Sequence, residues 1–237
     1  MATPSTLTYE YRFHWSGEAA LSVPIVLDAQ TLEHQRRATD DLPEWTRLSS
    51  CQCPNCPLSE ATHERCPVAS NVADLLDTFS DASSHQSVEV TVVSDARTYV
   101  RETTTQEGLA SILGLFMATS GCPVLDPLRP MARFHLPFAS YEETAYRALS
   151  MYLVSQHVRA QHGQTADWAL NGFVQMYRDI QVVNAAFAAR LRQFVTQDAN
   201  ANALVILDCF AALISLDAEL QRSLPESLEP LFLTPNA

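Results

Sequence analysis

Apolar and polar residues alternate along 6–15 (TLTYEYRFHW), a period of two that puts one set of side chains on a single face of a strand. Ser16-Gly17-Glu18 separate this run from 19–28 (AALSVPIVLD), which is rich in apolar and β-branched residues, so the pattern predicts an N-terminal hairpin. A second pair of strands is predicted at 87–93 (SVEVTVV) and 97–103 (RTYVRET), joined by Ser94-Asp95-Ala96. Helical spacing appears twice in the same half. After Pro67, the positions Val72, Leu75, Leu76 and Phe79 predict a helix to about residue 80; after Thr104, the positions Leu109, Ile112, Leu113, Phe116 and Met117 predict another that stops at Gly121.

Residues 29–50 are polar and irregular, and 121–139 carry prolines at 123, 127, 130 and 137 that forbid a regular helix through the segment, so an extended, ordered loop is expected there. Beyond it three helices are predicted, at about 140–162, 166–198 and 201–222. In the second, Phe173, Tyr177, Ile180, Asn184, Phe187, Leu191 and Phe194 make one stripe; short connections near Gly163 and at 198–201 imply antiparallel neighbours. The tail from Pro225 to Ala237 is expected to be loose. The resulting fold class is α+β: a small mixed or antiparallel β-sheet with packed helices, a cysteine-rich metal clip and a C-terminal antiparallel three-helix unit. Residues 1–139 form the α+β part and 140–224 the helical part, together one compact unit.

Composition narrows the function classes. A chain of 237 residues with 47% hydrophobic and 18% charged residues buries a core without covalent staples. Its net charge of −12 argues against nucleic acid as a partner. All 15 basic residues are arginine, which excludes Schiff-base catalysis and a phosphate-loop lysine. The N-terminus lacks a basic segment followed by an apolar run, and no apolar stretch is long enough to span a bilayer, so a cytoplasmic protein without membrane contact is expected. HExxH, GxSxG, GxGxxG and phosphate-loop patterns are absent.

The main chemical candidate is Cys51-x-Cys53-x₂-Cys56-x₉-Cys66. Four thiolates at this spacing suit tetrahedral zinc, and thiols in a reducing compartment are more readily metal ligands than disulfides. Two details weigh against a standard knuckle: Pro57 stands where a backbone N–H commonly supports the sulfur, and Cys51 and Cys53 are crowded. An iron–sulfur cluster is the alternative cofactor, because Cys53, Cys56, Cys66 and Cys122 all precede proline. His63 or Cys122 is a further candidate ligand. A Cys53/Cys56 redox pair is disfavoured by Pro54 and Pro57, which break the helix such a pair needs. Cys209 lies between apolar neighbours and is read as a small buried hydrophobe.

A second candidate is the proline-rich segment, where Cys122, Arg129, Arg133 and His135 fall close together. A small anion held by the arginines, with Cys122 or His135 as nucleophile, acid or base, is the functional reading. Simple packing between the two halves, with the arginines paired to Asp126 or Glu142, is the structural one and the stronger. Arg147, Arg178 and Arg190 interrupt apolar helical faces and are read as snorkelling or paired with Asp179 or Glu143.

The motifs at Cys56–Leu58 (CPL), Cys66–Ala69 (CPVA), Met117–Pro123 (MATSGCP), Arg129–Ala139 (RPMARFHLPFA) and Ser150–Gln156 (SMYLVSQ) together resemble an uncharacterised bacterial protein family of unknown function. The resemblance covers about residues 7–220 and implies no role for any residue. The expected function is a cytoplasmic metal-binding protein, with structural zinc, that acts through a protein partner. An enzyme or redox sensor, using a zinc or iron–sulfur site or Cys122 with Arg133 and His135, is the alternative.

Overall fold

The computed structural model describes residues 5–35, 41–80, 82–194, 230 and 232–233. Four strands form one antiparallel sheet in the order β2-β1-β3-β4: β1 (Thr6–His14), β2 (Leu21–Asp28), β3 (Ser87–Ser94) and β4 (Thr98–Thr104). The register sets Tyr9 opposite Ile25, Tyr11 opposite Val23 and Val92, and Phe13 opposite Leu21 and Val90. With period-two alternation this turns Tyr9, Tyr11, Phe13, Ile25, Leu27, Val88, Val90 and Val92 to the buried face. The other face is polar: Glu10 accepts from Arg12 and from Ser22. Pro24 is tolerated because β2 is an edge strand.

Helices α1 (Pro67–Thr78) and α2 (Thr105–Ala118) cover the buried face. Phe79 meets Phe13 edge-on at 4.7 Å between ring centroids. The backbone of α2 comes so near the sheet that a Cβ on Gly108 would stand 2.7 Å from Phe13 Cε1. On the other side, buried Asn71 of α1 donates to the Phe116 carbonyl of α2 at 2.6 Å and bonds His34 Nδ1 at 2.8 Å. The start of α1 is thereby held against the end of α2, so Cys66, just before α1, and Cys122, just after α2, lie at the same end of the molecule.

The proline-rich segment is not the extended loop expected. It folds into a 3-10 turn (Asp126–Leu128) and the one-turn helix α3 (Pro130–Arg133). Proline forbids helix interiors, but in the first turn its missing N–H has no intrahelical partner to lose, and Pro127 and Pro130 stand there. Helix α4 (Tyr141–Gln161) begins with a capping box between Ser140 and Glu143. Helix α5 (Asn171–Phe194) starts five residues later than the predicted 166. Asp167 Oδ2 accepts from the Tyr152 hydroxyl at 2.8 Å and from the Gly172 N–H at 2.7 Å, and Leu170 sits at φ 63, so this stretch is a turn tied back to α4. Phe173, Tyr177, Ile180, Asn184, Phe187 and Leu191 are all buried along α5, as the stripe predicts. The Phe194 side chain, the predicted helix at 201–222, Cys209 and most of the tail lie outside the described residues. Among the described residues no helix is long and apolar enough to cross a membrane.

Candidate functional site

The cysteine segment is fastened to the body by backbone bonds. Cys66 N–H donates to the Thr46 carbonyl at 2.8 Å and Leu48 N–H to Glu64 at 3.0 Å, with Arg47 and Arg65 forming an antiparallel bridge between them. From α5, Asn55 Nδ2 finds the Asp179 carbonyl at 3.0 Å. Arg190, 1% exposed, is the central anchor. Its guanidinium donates to the carbonyls of Trp45 (2.6 Å), Arg47 (2.8 Å), Leu48 (3.5 Å) and Cys51. This corrects the reading of Arg190 as snorkelling or paired with Asp179 or Glu143: its partners are main-chain acceptors of a segment that has no helix or sheet to satisfy them.

Cys122 joins Cys53, Cys56 and Cys66 as an electrostatic neighbour. The N–H of Cys56 donates to the Cys53 carbonyl at 3.0 Å, closing a turn that presents both sulfurs. Gly121, at φ 82, turns the chain out of α2, and Cys122 follows with its N–H on Ser120 Oγ and its carbonyl accepting from Leu125 and Asp126. Cys66 and Cys122 belong to the buried core, and half-buried Cys53 and Cys56 pack against it. Burial pushes the Cys53 thiol up to about 12, and the charges of Cys66, Cys122 and Cys56 add to the rise, against the pull of Arg190. Burial likewise raises Cys122, with Leu125 and Val124 N–H groups opposing and Cys66 and Cys56 adding. These shifts identify Cys53, Cys56, Cys66 and Cys122 as electrostatic neighbours. Cys51 faces elsewhere, its sulfur 3.7 Å from the Ala186 carbonyl, and His63 is exposed and bonds Thr62. Among the described residues no three His, Cys, Asp or Glu side chains converge tightly enough to hold one metal ion, and all five described cysteines are free thiols. Kept protonated, Cys53 and Cys122 are poor nucleophiles as they stand.

Cys122 stands apart from Arg133 and His135, which both border Tyr9: the Tyr9 hydroxyl donates to the Arg133 carbonyl and its ring meets His135 edge-on at 5.4 Å between centroids. Cys122 is with the other thiols, whereas Arg133 donates to the Ala29 carbonyl at 3.2 Å. His135 Nε2 bonds the Tyr11 hydroxyl, which also bonds Ser111 Oγ at 2.9 Å. His135 is partly exposed as a residue, yet its imidazole is so enclosed that desolvation, helped by the Arg147 charge, lowers it to about 3. It is neutral at physiological pH. Arg129 pairs with Glu33 and Asp126, the second of which the packing reading anticipates. His135 instead lines a cavity of about 620 Å³ between α2, the proline-rich segment, α4 and α5. Arg147 lines it too and donates to the Met131 and Phe134 carbonyls; Glu143 acts on it electrostatically but makes no direct ion pair with it. Asn184, a polar residue on the apolar stripe of α5, is the sequence signal that points to this cavity.

A family model described as Domain of unknown function (DUF6901) matches residues 7–232. The chain belongs to this family. The DUF6901 match takes in the cysteine segment, Cys122 and every described residue that lines the cavity. No curated protein and no solved structure matches the chain.

Proposed function

We propose that Cys53, Cys56, Cys66 and Cys122 bind one metal centre, an iron–sulfur cluster, and that the protein works as a metal-binding module. What supports this reading is that Cys66 and Cys122 share the end where α1 starts and α2 stops, and that the charges of Cys56, Cys66 and Cys122 all act on the half-buried Cys53 thiol.

Two features favour the cluster over the zinc expected from spacing. Each of the four cysteines is followed by proline (Pro54, Pro57, Pro67 and Pro123), so none has the next residue's N–H to offer its sulfur, a support common in zinc knuckles. Cys-Pro steps are instead familiar at iron–sulfur sites. Tetrahedral zinc, with bonds of about 2.3 Å, needs its sulfurs within about 3.8 Å of each other, whereas a cluster spreads its ligands over a larger body. Cys51, followed by Gln52 and turned to α5, is outside this set. The acidic chain, at −12, supports action through a partner that carries positive charge.

The test is elemental analysis of full-length protein prepared without oxygen. Iron with comparable acid-labile sulfide and a brown colour supports the cluster. Zinc without sulfide replaces the cluster with a single ion and leaves the ligand set standing. Protein with no bound metal after growth in iron- and zinc-replete medium refutes the reading.

A further inference from the structure

The 620 Å³ cavity is of the size that holds small ligands, and its walls have a consistent chemistry. Leu115, Leu128, Met131 and Ile180 make it apolar. Among the polar residues that interrupt that lining, Arg147, Tyr177 and Asn184 have donor groups to spare. Arg147 uses one nitrogen, Nη2, on the Met131 and Phe134 carbonyls at 3.3 and 2.7 Å, and among the described residues no carboxylate stands within ion-pair distance of it. Tyr177 is close enough to Arg147 that each alters the other's ionisation; its residue is 4% exposed and its hydroxyl has no hydrogen bond among the described residues. Asn184, 3% exposed, likewise has an amide without a partner there. Only Asn55 Oδ1 and Thr104 Oγ1 are entombed without partners among the described side chains, so the polar atoms of Tyr177 and Asn184 meet open cavity space.

The acidic residues of the lining are already engaged: Glu143 accepts from the Ser140 N–H and Glu107 from the Thr103 hydroxyl. Arg101, the other cation, donates to the Phe138 carbonyl. Phe138 itself is held at φ 59, a conformation that costs a non-glycine residue about 1–3 kcal/mol and is found where surroundings fix a wall in place. Arg147 feels the Glu143 charge but makes no direct ion pair among the described residues, so a guanidinium with free N–H groups stands beside a phenol donor in a largely apolar chamber, a setting that suits an acceptor carrying negative charge.

We infer that this cavity binds an apolar carboxylate, with its head on Arg147 and Tyr177 and its hydrocarbon body along Leu115, Leu128, Met131 and Ile180. Asn184 lies two helical turns from Tyr177, about 10 Å along α5, and serves a second polar group or a water at the far end. The site is independent of the thiol cluster and stands whether or not metal binds there.

The experiment is calorimetric titration of the full chain with dodecanoate below its micelle-forming range, with 1-dodecanol as the uncharged control. One dodecanoate per chain is expected, at least about tenfold tighter than dodecanol, the ratio that one good charge-assisted contact supplies. Tyr177→Phe should weaken dodecanoate several-fold and leave dodecanol unchanged, and Arg147→Met should erase the preference. Because Arg147 also holds two carbonyls, Thr144→Trp is the companion variant: it fills the cavity from a half-exposed helical position and should abolish both ligands while the thermal melt stays cooperative. Wild-type protein that ignores dodecanoate, equal affinity for the alcohol, or unchanged binding in Thr144→Trp overturns the inference.

Discussion

Arg190→Met tests the anchoring of the cysteine segment. The native guanidinium is 1% exposed and satisfies four carbonyls, at Trp45, Arg47, Leu48 and Cys51. Hydrogen bonds to a charged group contribute about 1.5–3 kcal/mol each, but four on one group are not additive, and some freed carbonyls will reach water at the segment's edge. Methionine keeps the apolar stem and supplies no donor, so the expected cost is about 3–5 kcal/mol, the range for removing one partner from a buried charged network. For a chain of this size that lowers Tm by roughly 6–20 °C. Urea unfolding followed by circular dichroism measures it, and amide hydrogen exchange should show the loss concentrated around residues 45–51. Arg190→Lys, which keeps the charge but not the fork, should recover only part of the stability. A Met variant within about 1 kcal/mol of the parent refutes the anchor.

Two further substitutions probe the body. Gly108→Ala gains about 1 kcal/mol of helix propensity but places a methyl 2.7 Å from Phe13 Cε1 and 3.1 Å from Val90 Cγ2; both neighbours are fully buried, so overpacking wins by about 1–2 kcal/mol and Tm falls. A stabilised Ala variant would show that α2 is farther from the sheet. His135 is neutral in the fold down to about pH 3, whereas an unfolded-chain histidine protonates near 6.5. Below that value the unfolded state takes up a proton that the folded state refuses, so stability is lost as pH falls from 6.5 toward 3. Between pH 7 and pH 5 the parent should lose at most about 2 kcal/mol more than His135→Phe. Parallel stability curves for the two proteins contradict the desolvated imidazole.

The sheet was legible because its signal is local: alternation in TLTYEYRFHW and SVEVTVV needs only a buried face to become a strand, and each observed strand begins and ends within about two residues of the run that predicts it. The α5 stripe was legible for the same reason. Arg147 and Arg190 were not. A cation on an apolar stripe has the same sequence appearance whether it snorkels or is buried against carbonyls, and the carbonyls come from segments far along the chain. The proline-rich segment was misjudged because proline excludes helix interiors but is accommodated in a helix's first turn, so four prolines still permit α3 and a 3-10 turn. At the thiols, nearness in sequence favoured Cys51, whereas antiparallel packing of α1 on α2 carries Cys122 to Cys66 across a span of 56 residues (122 − 66). A proline follows each of Cys53, Cys56, Cys66 and Cys122 but not Cys51, the sequence mark on which the proposed ligand set rests.

The ligand set is tested most directly by bound metal per chain in Cys122→Ser and Cys51→Ser, purified side by side without oxygen. Both cysteines lie near Cys53 in space or in sequence, yet only Cys122 is an electrostatic neighbour of it. Loss of most of the metal from Cys122→Ser, with parental content in Cys51→Ser, is the result expected of a centre held by Cys53, Cys56, Cys66 and Cys122. Metal that survives in Cys122→Ser and disappears in Cys51→Ser contradicts it.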